Sequence, residues 1–282
     1  MTQPSLFGPD SNGPVAKPLG DRVERLKALI LVKAAPNPSQ SYGETVCVAG
    51  LRADLKAFGW LRLYPINFRA LDDPNEFKKY DLVEFEARPA RNDPRHESWR
   101  PLLTSITTVG HVADWRGRAG WVEDYVKESM CDLLEAVRRE APARSLAAIR
   151  PREIDDFIVE QHPGWSQEEK AKIQAYVNQL GLFDTSPRRA LEAPRFKARY
   201  SYWCQSSQCR GHRQGLLDWE FVMHQRNLAG WSDAAAKEEL RARWLDKMCG
   251  PDRDTILYVG NQAKRQHVFS VLGLMYPPRQ AT

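Results

Sequence analysis

Between Leu26 and Val109 the chain runs in short bursts of apolar residues, several alternating strictly with polar ones, and this pattern points away from a helical architecture. Successive side chains on a strand face opposite ways, so a half-buried strand alternates apolar and polar residues. Trp60-Leu61-Arg62-Leu63-Tyr64-Pro65 and Asp81-Leu82-Val83-Glu84-Phe85-Glu86 read in this way. Leu26 to Val32, Glu44 to Gly50 and Leu102 to Val109 are further strand candidates, and Leu51 to Phe58 is one brief helical spacer. Several short strands with so little helix between them predict a small barrel or partly open sheet, of OB or PUA-like character.

The period then changes. Trp121, Tyr125, Val126, Met130, Leu133, Leu134 and Val137 recur at helical spacing and predict an amphipathic helix over roughly 121–140. A short strand at 156–159 follows. Ser166-Gln167-Glu168-Glu169 then reads as a capping box opening a helix that ends at Leu180-Gly181. Later come a strand over 196–203, a helix over 233–248 begun by Ser232 or Asp233, and closing strands at 255–259 and 268–272. The expected organisation is a disordered tail at 1–22, a β-rich domain at 23–115, a helical connector at 116–185, a linker at 186–194 and an α/β domain at 195–282. The fold class is α+β.

At 282 residues the chain is long enough for two cores. It has no apolar run long enough to span a membrane, and Met1 to Phe7 lack the layout of a signal peptide, so a cytoplasmic protein without a membrane partner is expected. The cysteines are Cys47, Cys131, Cys204, Cys209 and Cys249, an odd number that suits a reducing compartment better than a disulfide framework. Net charge is +5, and the excess is local: 188–213 carries Arg188, Arg189, Arg195, Lys197, Arg199, Arg210 and Arg213 against Glu192 alone.

That basic stretch surrounds the sharpest motif, Cys204-x4-Cys209-x2-His212. Two thiolates and an imidazole this close suit zinc, which prefers four N or S ligands in a tetrahedron. The fourth ligand would be His224, Cys249 or Asp218; the alternative is that Cys204 packs behind a strand while His212 hydrogen-bonds a turn. Overlapping the motif, Asp218 and Glu220 stand two residues apart and would share one face of a strand. Such a pair can hold magnesium for phosphodiester cleavage, with His212 as general base. The chain lacks the accompanying cation of an Asp/Glu-x-Lys strand, and on a helix the two carboxylates would diverge.

In the β-rich domain Arg62, Tyr64, Arg69, Arg95 and Arg100 mix guanidiniums with aromatic residues, the ingredients of a nucleic-acid surface, although acids are almost as frequent there. Arg195, Lys197, Arg199 and Arg213 extend the candidate contacts into the C-terminal domain. Gln3 to Phe7 and Gln179 to Phe183 resemble the peptide with which bacterial proteins dock on the DNA sliding clamp, while Gly181 also fits a helix end. No dinucleotide fingerprint, phosphate-binding loop, His-Glu-x-x-His or Gly-x-Ser-x-Gly occurs.

Val46-Cys47-Val48-Ala49-Gly50, Gly59 to Pro65 and His96-Glu97-Ser98 resemble the dual-OB-like domain of uncharacterised bacterial proteins. Tyr64 intervenes before Pro65, and Ser98 stands where that family has Asn. Phe196 to Tyr202, Asp218-Trp219-Glu220, Gly260-Asn261 and Phe269 through Gly273 to Pro277-Pro278 are similar to a second uncharacterised bacterial family. These resemblances imply a bacterial source and a nucleic-acid-linked role, including phage defence. The expectation is therefore a nucleic-acid-binding protein, DNA ahead of RNA, stabilised by zinc. Its rivals are a magnesium-dependent nuclease using Asp218, Glu220 and His212, and an interaction subunit docked on the sliding clamp or a defence complex.

Overall fold

The computed structural model describes residues 17–18, 20–39, 43–54, 59–66, 76–139, 143–178 and 190–279. Both clamp-like peptides, Arg69, most of the expected tail and residues 186–189 of the linker lie outside them.

The first seven strands are β1 (Glu24–Lys33), β2 (Asn37–Ser39), β3 (Gly43–Arg52), β4 (Trp60–Ile66), β5 (Asp81–Pro89), β6 (Ser98–Pro101) and β7 (Thr107–His111). The order β1-β3-β4-β6-β5 closes on itself because β5 also pairs with β1, giving a five-stranded barrel to which β2 and β7 are added at β3 and β5. All these pairings are antiparallel except β4 with β6. The alternation seen in the sequence places Leu61 and Leu63, Val83, Phe85 and Ala87 inside, where they meet Leu26, Ile30, Val48 and Trp99. Leu51 and Arg52, read as the start of a helical spacer, belong to β3; residues 55–58 are not among those described. Gly50 answers a close approach: a Cβ there would stand 2.2 Å from the Leu29 carbonyl oxygen.

Strand β1 is nearly continuous in apolar residues because both its faces are covered. Its inward residues fill the barrel, while Leu29 and Leu31 face out and join Leu51, Trp60, Ala148, Tyr258 and Met275 in a second core against the C-terminal half.

After the barrel come α1 (Trp115–Val122), α2 (Met130–Arg139), β8 (Leu146–Ile149), β9 (Glu153–Gln161) and α3 (Gln167–Val177). The single helix expected over 121–140 is thus two. A 3-10 turn ends α1, and Val126 leaves the helical region at φ −93°, ψ 58°. A new helix then begins where Ser129 and Asp132 cap one another: the Asp132 amide donates to the Ser129 hydroxyl, and the Ser129 amide to the Asp132 carboxylate. The capping box of α3 forms as its sequence predicts, with Ser166 and Glu169 satisfying each other's backbone amides.

The C-terminal half adds β10 (Phe196–Trp203), β11 (His212–Gly215), α4 (Trp219–Asn227), α5 (Asp233–Arg241), β12 (Ile256–Gln262) and β13 (Arg265–Met275). Ser232 caps α5, and a π-helical segment, Ala242–Lys247, prolongs it. Two three-stranded antiparallel sheets result, β11-β10-β9 and β13-β12-β8. Residues 116–185, expected as a helical connector, therefore supply one strand to each sheet. Phe157, Tyr200, Phe221, Trp244, Val259 and Val271 form the shared core. The molecule is α+β, a β-rich OB-like barrel followed by a mixed α/β region. Among the described residues no helix is long and apolar enough to cross a membrane.

Candidate metal centre and flanking sites

Cys204 immediately follows β10, His212 opens β11 opposite Tyr202, and Cys209 lies in the turn between them. The hairpin therefore brings the three expected ligands to one end of the sheet. The fourth is Cys131, on the first turn of α2. His212 Nε2 lies 3.3 Å from the Sγ of Cys204, 3.3 Å from that of Cys209 and 3.6 Å from that of Cys131. Cys131 and Cys204 are 3.5 Å apart, and all four ligand atoms lie within 4.8 Å of one another. A tetrahedral zinc with Zn–S near 2.3 Å and Zn–N near 2.0 Å separates its ligand atoms by roughly 3.5–3.8 Å. Donor set and spacing therefore both fit zinc. Four protein donors make a closed, structural site rather than one with an open coordination position.

The surroundings support the donors. The amides of Cys204 and Gly211 donate to Cys209 Sγ, both at 3.4 Å. Burial pushes the Cys131 thiol up, reinforced by the neighbouring Cys204. Burial pushes Cys204 up too, but hydrogen bonds led by His212 outweigh it and hold this thiol low, at about 6. The lowering favours Cys204 as thiolate, the form that binds metal. Gln214 ties the same elements together, accepting from Tyr202 Oη at 2.7 Å and approaching Met130 Sδ at 3.3 Å.

The other fourth ligands considered are engaged elsewhere, which corrects that expectation. His224 Nδ1 accepts from the Trp244 indole at 3.2 Å and its Nε2 lies 3.7 Å from Glu239. The Cys249 thiol donates to the Trp244 carbonyl. Cys131 carries no local signal: it lies 73 residues before Cys204, on a helix whose apolar periodicity gives only its packing. The one available hint was that three ligands require a fourth.

Asp218 and Glu220 do come together, but not on a strand and not with His212, whose Nε2 faces the thiols. Asp218 caps α4, its Oδ1 accepting from the Glu220 amide at 2.8 Å. Its Oδ2 accepts from Lys79 at 2.7 Å, and Lys79 also reaches Glu220 at 3.0 Å. The missing cation is therefore supplied by the barrel, from just before β5. Asp218 is 1% exposed, and Gly273 of β13 packs over the pair: a Cβ there would meet Asp218 Oδ2 at 3.3 Å. Burial pulls the Lys79 ammonium down, but the two carboxylates more than reverse this and keep it charged. Burial likewise pushes the Asp218 carboxyl up, against the pull of Lys79. The next residue, Tyr80, is left-handed at φ 68°, an unfavourable conformation for a bulky side chain. It lets Lys79 and Asp81 serve separate partners, since Asp81 binds the His111 ring at 2.6 Å.

Of the expected nucleic-acid contacts, three arginines are engaged by the fold. Arg62 is buried, donating to Cys47 Sγ and to the Ser145 carbonyl across the junction between barrel and C-terminal half. Glu97 completes that junction by accepting from the Ser145 amide and hydroxyl. Arg95 is gripped by Asp93 and donates to the Asn261 carbonyl. Arg195 binds Asp233 and the carbonyls of Leu228 and Trp231 at the end of α4. Tyr64, Arg100, Lys197 and Arg213 are exposed, and Arg199 is partly so. The sequence does not separate the buried arginines from the exposed ones, because both kinds stand near aromatic residues.

A solved structure, "Crystal structure of the tetrameric p202 HIN2", is similar to this chain at 7% identity and a TM-score of 0.31, over 95% of this chain and 100% of its own. No curated protein matches the chain. Residues 24–124 match the family described as Domain of unknown function (DUF8758). Residues 126–282, more than half of the sequence, match Domain of unknown function (DUF8757), and the chain belongs to that family.

Proposed function

We propose that this protein binds nucleic acid and that a zinc centre at Cys131, Cys204, Cys209 and His212 stabilises the surface that does so. One observation carries the reading. On β10 the buried residues Phe196, Ala198, Tyr200 and Tyr202 face the core, so Lys197 and Arg199 project from the opposite face. Arg213, paired with Ser201 in the register of β11, projects from that same outer face. Glu160 of β9 is their acidic neighbour and accepts from both Arg199 and Lys197, leaving a positive balance. Cys204, Cys209 and His212 lie at the hairpin end that joins these two paired strands, so the ion would fix the spacing of the cations.

Cationic side chains that meet phosphates release condensed counterions, which makes affinity fall with salt. Three such contacts give a log–log slope of at least roughly −2. Anisotropy titrations of labelled oligonucleotides across a salt series test this. Steep salt dependence, lost together with most of the affinity in Lys197→Glu/Arg213→Glu, is the expected result. Binding that ignores salt, or survives that double substitution unchanged, contradicts the reading.

A further inference from the structure

The barrel carries a second row of residues on its outer wall that the zinc-stabilised sheet does not explain. Strands β5, β6 and β4 turn Val83, Phe85 and Ala87, Trp99, and Leu61, Leu63 and Ile66 inward. Their alternate residues face out. Near the C-terminal half these are covered, as Trp60 and Arg62 are buried, but one step further along the strands Arg88, Arg100 and Tyr64 are all exposed. Arg88 and Arg100 are directly opposed in the antiparallel register of β5 and β6. Leu63 pairs with Trp99 in the parallel register of β4 and β6, so the next residues, Tyr64 and Arg100, are neighbours as well. The three side chains form one row across three strands. Tyr64, 43% exposed, is steadied by a 3.1 Å hydrogen bond between its hydroxyl and Thr45 of β3.

Like charges placed directly opposite each other on neighbouring strands destabilise a sheet. Among the described residues neither Arg88 nor Arg100 has an ion pair to relieve this. Of the acids close by, Glu86 of β5 stands opposite Arg25 of β1, and Asp93 is held by Arg95 and Ser98. An arginine pair that the fold leaves uncompensated suits an anion, and guanidinium forks match phosphate oxygens two at a time. The aromatic ring beside them adds a different requirement. A base can stack on an exposed tyrosine only when it is free of its own pairing, so phosphate and ring together select an unpaired strand.

We infer that Arg88, Arg100 and Tyr64 form a binding row for single-stranded nucleic acid, the arginines holding backbone phosphate and Tyr64 stacking on a base. The row rests on the nucleic-acid reading above but uses no residue of the β10–β11 face. It gives that reading a ligand class, single strands over duplex.

Anisotropy titrations with an oligothymidylate and with a blunt duplex of equal length test it, using the full chain, Arg88→Gln/Arg100→Gln and Tyr64→Leu. All three positions are on the surface, and thermal melting verifies that the variants fold. The unaltered chain is expected to prefer the single strand. Arg88→Gln/Arg100→Gln should weaken that binding about tenfold and make the salt slope shallower by roughly 1.4, as two lost phosphate contacts require. Tyr64→Leu should weaken single-strand binding by about tenfold with the slope unchanged. Single-strand binding that both variants retain in full overturns the row while leaving the nucleic-acid reading intact. Equal affinity for duplex and single strand, with duplex binding equally weakened by Tyr64→Leu, overturns the ligand class. No binding of either oligonucleotide by the unaltered chain overturns the parent reading and the row with it.

Discussion

The two ends of the segment Cys204–Glu220 each gather ligand-type side chains, and they resolve in opposite ways. At one end three thiols and an imidazole crowd together with no cation of the protein's own among them. At the other, two carboxylates converge on the Lys79 ammonium. The soft end recruits its fourth member from α2, and the hard end recruits Lys79 from the barrel. A set of ligand residues is therefore not yet a metal site; what the rest of the fold brings to its centre decides. Both ends do share one task, because each fastens distant parts of the chain to the same hairpin-and-helix unit.

Removing metal from the thiol cluster has the largest expected effect. Structural zinc in small domains supplies on the order of 10 kcal/mol of folding free energy, comparable with the 5–15 kcal/mol that typically holds a whole domain. Chelation should therefore unfold the C-terminal half, read as loss of near-ultraviolet circular dichroism, and added zinc should restore it. An unchanged melting curve in metal-free protein would make the thiol cluster a packing feature only.

A smaller effect is expected at the other end. Lys79→Met leaves Asp218 buried without its counter-charge, a change that costs about 3–5 kcal/mol. Urea unfolding should show that loss with bound zinc unchanged, and Asp218→Asn in the same chain should recover part of it. If Lys79→Met melts like the parent protein, the junction is not held by this ion cluster.

How much of this was visible in the sequence follows from the range of the forces involved. Alternation in Trp60 to Pro65 and Asp81 to Glu86 marks barrel strands because each residue's face is set by its immediate neighbours. The x4 and x2 spacings around Cys209 mark three ligands for the same reason. Cys131 is not visible, because its place depends on how α2 packs against a hairpin 73 residues away. Lys79 lies 139 residues from Asp218 and is hidden in the same way. The break between α1 and α2 shows a local force prevailing over a periodic one: the apolar stripe continues through 121–137, but the Ser129–Asp132 cap starts a fresh helix within it. Arg62, Arg95 and Arg195 show the limit of residue type as a guide, since an arginine that stitches two halves of a fold reads like one that awaits a phosphate.

A closed centre of three sulfurs and one nitrogen, built across the chain by Cys131, has a distinct signature in X-ray absorption at the zinc edge of the purified protein. The expected spectrum shows three sulfur atoms near 2.3 Å and one nitrogen near 2.0 Å around the zinc, falling to two sulfurs in Cys131→Ser. A shell of two sulfurs and two nitrogen or oxygen atoms in the unaltered chain, unaffected by Cys131→Ser, would contradict it.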